Sequence, residues 1–324
     1  MSPNESKPRL SSSAVFVGCA KDCAAHLPGV CENIERLAGL FADSAVIFLE
    51  NDSTDATKEV LRAWVDKRPN ARVIDLDGLQ ASCRVRTIRL AELRNTYLKH
   101  VRREMGRFDY LIVLDCDEVN EMPISCASFM RALEFLAQDS QRAGVFANQL
   151  GTYYDLWALR HARLCPSDVW EEVLDHVTRF GGSDAEAFRQ TMKKRAFSLE
   201  PDSPPLEVDS AFGGLGIYKM SSVLRNSARY SGHKVKVLPA RKGPTEVGWQ
   251  VCEHVSFNQG FRRNGEALFV LPFLINWDTG ERSFPQSGFR SKVFDPRDLP
   301  LFARARRQSA RLLGNIARVM RGRT

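Results

Sequence analysis

One ten-residue stretch constrains this chain more than any other: Tyr110-Leu-Ile-Val-Leu-Asp115-Cys-Asp117-Glu-Val119. Residues 110–114 form a continuous apolar run, which reads as a strand buried on both faces. Such strands belong to parallel sheets covered by helices on each side. Asp115 and Asp117 emerge where the chain leaves the sheet, and that end of a strand is where α/β proteins place their ligands. Two carboxylates two residues apart suit a hard divalent cation, Mn²⁺ or Mg²⁺, held against a diphosphate whose oxygens complete the shell. The pair therefore points to a metal-assisted transfer site. Aspartates after strands also cap turns, so its meaning depends on what the rest of the chain places beside it.

The rest of the chain repeats the alternation. Residues 14–18 and 45–50 read as strands, separated by a helix over about 28–42 with Val30, Ile34, Leu37 and Phe41 on one face. Asn51-Asp-Ser-Thr-Asp55 makes a polar turn in which Asp55 caps a helix carrying Val60, Leu61, Trp64 and Val65. Residues 72–76 read as a third strand, 88–103 and 125–137 as helices, and 144–147 as a further strand. This order predicts a single α/β domain with a mainly parallel sheet flanked by helices. Beyond Gly151 the pattern loosens. Residues 180–205, rich in Gly, Ser, Asp and Pro, read as a mobile excursion, and short strands at 212–220, 234–238 and 251–257 complete the domain.

Composition excludes several classes. With 44% hydrophobic and 26% charged residues the chain is neither a disordered nor a membrane-spanning type. Its apolar runs fall far short of a span, and Ala14-Val-Phe-Val17, after a polar leader over residues 1–13, is too brief for a signal-peptide core. A cytoplasmic protein is expected. The eight cysteines contain no C-x-x-C pair and read as buried reduced thiols. The net charge of +7 is concentrated in residues 297–324, where eight arginines face one acid, Asp298. There Phe302, Leu312, Leu313, Ile316 and Met320 share one helical face and Arg304, Arg307, Arg311 and Arg318 another. Such a helix either lies on an anionic membrane surface or docks on the domain with its arginines solvated. Nucleic acid is not expected, because stacking aromatics are missing from this stretch.

Four segments stand beside the paired aspartates. Glu50 and Asp52 follow a strand, where carboxylates can bond a nucleoside's base or ribose. Arg84, Arg86, Arg89 and Arg94-Asn95 lead into the aspartate-bearing strand and offer charge-assisted bonds to a diphosphate. Phe212-Gly213-Gly214 puts small residues where a sugar ring can approach the backbone. Cys252-Glu253-His254 supplies a candidate base and a nitrogen ligand. Each also has a plain reading, respectively an Asx-rich turn, a solvated helix face, a glycine bend and a buried histidine.

Taken in order, these segments resemble the GT-A class of nucleotide-sugar glycosyltransferases. More narrowly, Glu50-Asn-Asp-Ser-Thr-Asp55, Arg89-Leu-Ala-Glu-Leu-Arg-Asn95 and Tyr153-Tyr-Asp-Leu-Trp-Ala-Leu-Arg160 are similar to the fungal capsule-associated α-mannosyltransferase family. The resemblance spans roughly residues 14–258. The chain has Arg160-His161 and Gly213-Gly214 where that family tends to have Arg-Asp and Asn-Gly. It implies a GT-A domain over 14–296, with a nucleotide-sugar half at 14–150 and an acceptor half at 151–296. It also implies transfer of a hexose, with mannose as the finer expectation, from a nucleotide-diphosphate sugar to a glycan or lipid-linked acceptor. Carried onto this chain, Asp117 is the principal ligand of Mn²⁺ or Mg²⁺, Asp115 binds ribose or metal, and His254 is a third ligand. Glu50 and Asp52 lie near the nucleoside, Arg89, Arg94 and Asn95 near the diphosphate, and Gly213 with Gly214 near the sugar. Glu253 is a general base if the reaction inverts and positions substrate if it retains. Tyr154, Asp155 and Trp157 line the sugar or acceptor pocket. Two other readings fit the same residues: a haloacid-dehalogenase-type phosphohydrolase with Asp115 as nucleophile, and a non-catalytic sugar-nucleotide-binding protein.

Overall fold

Alternate side chains of the central strands feed two separate cores. In β4 (Tyr110–Asp115), Leu111 and Val113 join one core while Ile112 and Leu114 join the other. The same division splits Val15 and Val17 from Phe16 in β1 (Leu10–Ala20), and Ile47 and Leu49 from Phe48 in β2 (Phe41–Glu50). This is the period-2 geometry of a sheet buried on both faces. The molecule is described by a computed structural model over residues 10–238, 243–279 and 289–300.

One core is closed by α1 (Leu27–Ala38), α2 (Thr57–Val65) and α5 (Cys126–Ala137), which supply Leu27, Ile34, Leu61, Phe129 and Leu133. The other is closed by α4 (Arg86–Glu104), joined through Leu93, Tyr97 and Val101. Here β3 (Ala71–Asp75) and the short α3 (Leu79–Ser82) precede α4, and β5 (Arg142–Leu150) follows α5. The remaining elements are α6 (Val169–Phe180), α7 (Asp184–Arg195), β6 (Leu206–Val208), β7 (Leu215–Lys219), α8 (Met220–Arg225), β8 (His233–Leu238), β9 (Thr245–Gln250), α9 (Glu253–Arg263), β10 (Ala267–Asp278) and β11 (Val293–Phe294).

The main sheet has the order β3-β2-β1-β4-β7-β5-β10-β6. Strands β1 to β4 are mutually parallel, β10 is parallel to β5, and only β7 and β6 run against their neighbours. The expected mainly parallel α/β sheet flanked by helices is therefore present. The chain builds outward from β1 to β2 and β3, then returns through α4 to place β4 on the other side of β1. That reversal opens a crevice at the carboxyl ends of β1 and β4. A second sheet, β11-β9-β8, stands apart from the first.

Several expectations are corrected. The first strand begins at Leu10, inside the stretch read as leader, and Phe41 starts β2 rather than ending α1. Residues 180–205 contain α7, which packs on α6; Ser183 caps it by accepting from the Glu186 N–H, and Ala187, Phe188 and Met192 are buried. Residues 251–257 are not a strand. Glu253 opens α9, whose His254, Phe257, Asn258 and Phe261 are buried at helical spacing. Strand β10 was not anticipated. All eight cysteines are free thiols, six of them buried, as expected. Of the basic tail, only residues 297–300 are described: Arg297 pairs with Asp295, and Leu299 is buried against Cys83, Val85 and Ile88. The expected amphipathic helix beyond residue 300 and the leader before Leu10 lie outside the described residues. Among those residues, no helix is long and apolar enough to cross a membrane.

The approach to β8 is fastened to the start of α4. Thr87 Oγ1 donates to the Gly232 carbonyl at 2.6 Å, and a Cβ at Gly232 would lie 2.0 Å from the Thr87 carbonyl oxygen. No side chain fits there without moving backbone. Gly232→Ala is expected to destabilise the fold by about 2 kcal/mol or more in urea unfolding. Unfolding at the parent's midpoint would contradict this contact.

Candidate active site

The crevice at the end of β1 and β4 is a cavity of about 390 Å³. Its floor follows from strand register. Cys19 of β1 lies beside Asp115 of β4, so both reach the cavity just as their strands end. Backbone contacts then fix the aspartate: its N–H donates to the Gly214 carbonyl at 2.9 Å, and its own carbonyl accepts from Asn120 Nδ2 at 2.9 Å. Asp117 caps the 3-10 turn Glu118–Asn120 by accepting from the Val119 N–H at 3.2 Å. Both carboxylates line the cavity.

The loops after β1 and β2 are laced together. The Asp22 N–H donates to Ser53 Oγ at 3.0 Å, Thr54 N–H to Asp22 Oδ1 at 2.7 Å, and Ala24 N–H to Asp55 Oδ2 at 3.0 Å. Lys21 donates to the Asp52 carbonyl at 2.7 Å. These bonds hold Lys21, Asp22 and Asn51 on the cavity wall. Arg86, the exposed first residue of α4, and Arg89 one turn later line the same wall. Arg89 Nη1 donates to the Cys83 and Arg84 carbonyls at 2.9 and 2.8 Å, which closes the loop ahead of the helix.

Arg94, which also lines the cavity, is only 3% exposed. Its Nη2 donates to Asp115 Oδ1 at 3.0 Å and its Nε to Glu253 Oε1 at 2.9 Å. Nη1 is buried without a hydrogen-bond partner, and the guanidinium sits 5.1 Å from the Phe212 ring centroid. One arginine thus joins a carboxylate of the central strand to one at the start of α9, where the helix dipole also favours negative charge. Burial still pushes the Asp115 carboxyl up to about 7; Arg94 opposes this and Asp117 adds to it. The enclosure of the cleft likewise raises Asp117.

His254 stacks on Phe212 with centroids 3.8 Å apart, and neither ring nitrogen has a hydrogen-bond partner. Burial, helped by the charge of Arg94, pulls its proton affinity well below the ordinary value. It is a neutral imidazole on the cavity wall, with two orphaned nitrogens.

The opposite wall comes from residues 154–157. Asp155 Oδ2 accepts from the Gly213 N–H at 3.1 Å and Oδ1 from the Ala158 N–H at 3.2 Å. Burial pushes its carboxyl up to about 6, with those N–H groups acting the other way. Trp157 is fixed by Nε1 donating to Asp168 Oδ2 at 3.1 Å, and the same oxygen accepts from Arg160 at 3.1 Å.

The cavity thus gathers Asp115, Asp117, Arg89, Arg94, Glu253 and His254 from the expected set. Arg94 differs from expectation: two carboxylates occupy it rather than a diphosphate. Five further residues do not line the cavity. Glu50 is fully buried, accepts from the Ser53 N–H and pairs with Lys58. The Asp52 carboxylate is taken up by the N–H groups of Gly78 and Gln80 at 2.6 and 2.7 Å. Asn95 exchanges two bonds with the Tyr230 backbone. Gly213 and Gly214 have φ of +63° and +80°, and a Cβ on either would strike Ala147 or Val119. Their carbonyls accept from Gln149, Asn276 and Asn120, so this loop braces the site from behind. Lys21 was overlooked in the sequence, although its place directly after a strand was the signal. Among the described residues, no group of three or more His, Cys, Asp and Glu side chains is arranged to hold a metal by itself.

No protein-family profile matches the chain, and no curated protein sequence matches it. Among solved structures it is similar to the mannosyltransferase PcManGT from Pyrobaculum calidifontis in complex with GDP-Man and Mn²⁺, at TM-score 0.44 and 13% identity, covering 87% of this chain and 62% of that one. It is also similar to glucosyl-3-phosphoglycerate synthase from Mycobacterium tuberculosis in complex with uridine diphosphate, at TM-score 0.39 and 15% identity, covering 85% and 72%. A third likeness is to S. aureus TarS 1–349, at TM-score 0.44 and 11% identity, covering 82% and 60%. The chain thus spans less than two thirds of the PcManGT and TarS structures. At these scores the chemistry rests on this chain's own residues.

Removing the arginine leaves two buried carboxylates without their counter-charge. Arg94→Met is expected to destabilise the fold by about 3–5 kcal/mol. Adding Asp115→Asn and Glu253→Gln to it should recover part of that loss. A single variant as stable as the parent in denaturant titration would contradict the bridge.

Proposed function

We propose that the protein is a metal-dependent glycosyltransferase, moving a hexose from a nucleotide-diphosphate sugar to a glycan or lipid-linked acceptor. The observation that carries this reading is the meeting, in one cavity, of Asp115 and Asp117 at a central strand end with Lys21, Arg86 and Arg89 on the wall. A cavity of about 390 Å³ falls in the usual range for small-molecule sites. Cations and carboxylates in one such space suit a diphosphate bound together with a divalent ion.

The donor set fits Mn²⁺ or Mg²⁺. Enclosure of Asp115 and Asp117 in the cleft raises the cost of ionising them, a cost that a cation between them relieves. These two carboxylates would hold the ion, with oxygens of the diphosphate filling most of the remaining positions; His254 is not grouped with them as a third ligand. When bound, the ion neutralises charge building on the departing nucleoside diphosphate. Lys21, Arg86 and Arg89 act on the same charge from the protein side. Arg94 keeps Asp115 and Glu253 in place. Glu253, engaged by Arg94 through one oxygen, faces the cavity where a hydroxyl of the sugar or acceptor is oriented. Tyr154 and Trp157 line the same cavity and would meet that sugar.

A mannosyl donor is the finer reading, and it rests on the similarity of residues 50–55, 89–95 and 153–160 to the capsule-associated mannosyltransferases. A lipid-linked acceptor would bring the basic residues of 297–324 toward an anionic surface. The phosphohydrolase reading is weaker, because Asp115 Oδ1 is engaged by Arg94 and roughly a hundred residues of strand-helix alternation precede the strand that carries it.

Nucleoside diphosphates are expected to stabilise the protein much more with Mn²⁺ than in EDTA. At a hundred times the dissociation constant the gain is roughly 2.7 kcal/mol, visible as a rise in melting temperature. Asp117→Asn should abolish the Mn²⁺-dependent part. Equal stabilisation in EDTA, or a variant that behaves like the parent, would overturn the metal site.

A further inference from the structure

Residues 291–299 connect two walls of the cavity. At one end the Lys292 ammonium lies 4.4 Å from the Trp157 ring centroid and 4.7 Å from that of Trp170. Trp157 lines the cavity with its indole fixed by Asp168, and Trp170 is buried in the first turn of α6. At the other end Phe294 and Leu299 pack on Cys83, Val85 and Ile88. Those three residues interleave with Arg84, Arg86 and Arg89, so they form the apolar underside of the arginine-bearing segment. Between the ends, Gln250 Nε2 donates to the Ser291 carbonyl at 2.8 Å, and β11 pairs with β9 at Val293↔Trp249 and Phe294↔Gly248.

No carboxylate among the described residues lies within ion-pair distance of Lys292. Two aromatic faces are its close partners, a contact that gains strength when the cation is desolvated. Burial, with the nearby charge of Arg86, lowers its proton affinity, while the field of Asp168 supports the charge. The lysine is thus held by the rings on which it sits rather than by a surface salt bridge that solvent would screen.

We propose that Lys292 is a positioning residue: seated between Trp157 and Trp170, it fastens residues 291–299 so that their apolar end holds the segment carrying Arg86 and Arg89 against the cavity. The consequence for donor binding rests on the glycosyltransferase reading; the mechanical coupling does not. Lys292 touches the aromatic wall and acts on the arginines only through the strap.

The test uses the full chain as parent, Lys292→Met and Lys292→Arg. Amide hydrogen exchange over residues 83–90 is measured first, without nucleotide. Lys292→Met should speed exchange there about tenfold while the melting temperature stays near the parent's, and Lys292→Arg, which keeps a cation over the rings, should restore the parent's rate. Unchanged exchange in the methionine variant, or an arginine variant as fast as the methionine one, overturns the proposal. Titration with a nucleoside diphosphate and Mn²⁺ follows: Lys292→Met should weaken binding several-fold and raise KM for the donor more than it lowers kcat. If the parent binds no nucleotide, the glycosyltransferase reading fails while the exchange result still decides the strap.

Discussion

A single guanidinium organises the centre of this protein. Arg94 is buried at the cavity wall, and its two bonds tie Asp115 at the end of β4 to Glu253 at the start of α9, a residue 159 positions beyond the arginine. Two carboxylates this close and this enclosed repel each other without an intervening cation. Burying the arginine is itself costly, and the two charge-assisted bonds offset that cost only because their geometry is good. The position of Asp115, and with it the floor of the cavity, depends on this arrangement. So does the placing of Glu253 and of His254 beside it.

Around that centre the wall is built from loops that restrain one another. The turns after β1 and β2 exchange backbone-to-side-chain bonds through Asp22, Ser53 and Asp55, so neither can move alone. On the far side, Asn120, Gln149 and Asn276 hold the carbonyls of Gly213 and Gly214, and Asp155 takes the Gly213 N–H. These amides stand behind the site rather than in it. Their number explains why polar residues are buried so close to a cavity: each satisfies backbone groups that a loop at a strand end would otherwise leave unpaired.

Much of the framework was legible because its signals are local. The apolar run before Asp115 specified a strand buried on both faces, and strand-helix alternation through residue 147 specified a parallel sheet. The paired aspartates, the arginines of α4 and Glu253-His254 do share one cavity. What the sequence concealed depended on competing signals or on distant contacts. The Gly, Ser and Asp of residues 180–205 outweighed a Ser183-x-x-Glu186 cap that marked α7. Val251 to Phe257 alternates enough to pass for a strand, although His254, Phe257, Asn258 and Phe261 carry the helical period. In β10, Pro272 falls where the pairing with β5 shifts register, and such a proline argues against a central strand. Side-chain engagement was wholly hidden. Glu50 and Asp52 have the residue types of a nucleoside site, yet Lys58 and the N–H groups of residues 53, 78 and 80 occupy them.

The central claim is that Asp115 and Asp117 bind a divalent ion together with a diphosphate in front of the Arg94 bridge. The most direct measurement is anomalous scattering at the manganese edge from crystals grown with Mn²⁺ and a nucleoside diphosphate. The predicted result is one manganese peak at about 2.1–2.2 Å from a carboxylate oxygen of Asp117, in contact with the diphosphate, with Arg86 and Arg89 on the phosphate side. A diphosphate bound away from these aspartates, or a cavity without manganese when the nucleotide is in place, would contradict it.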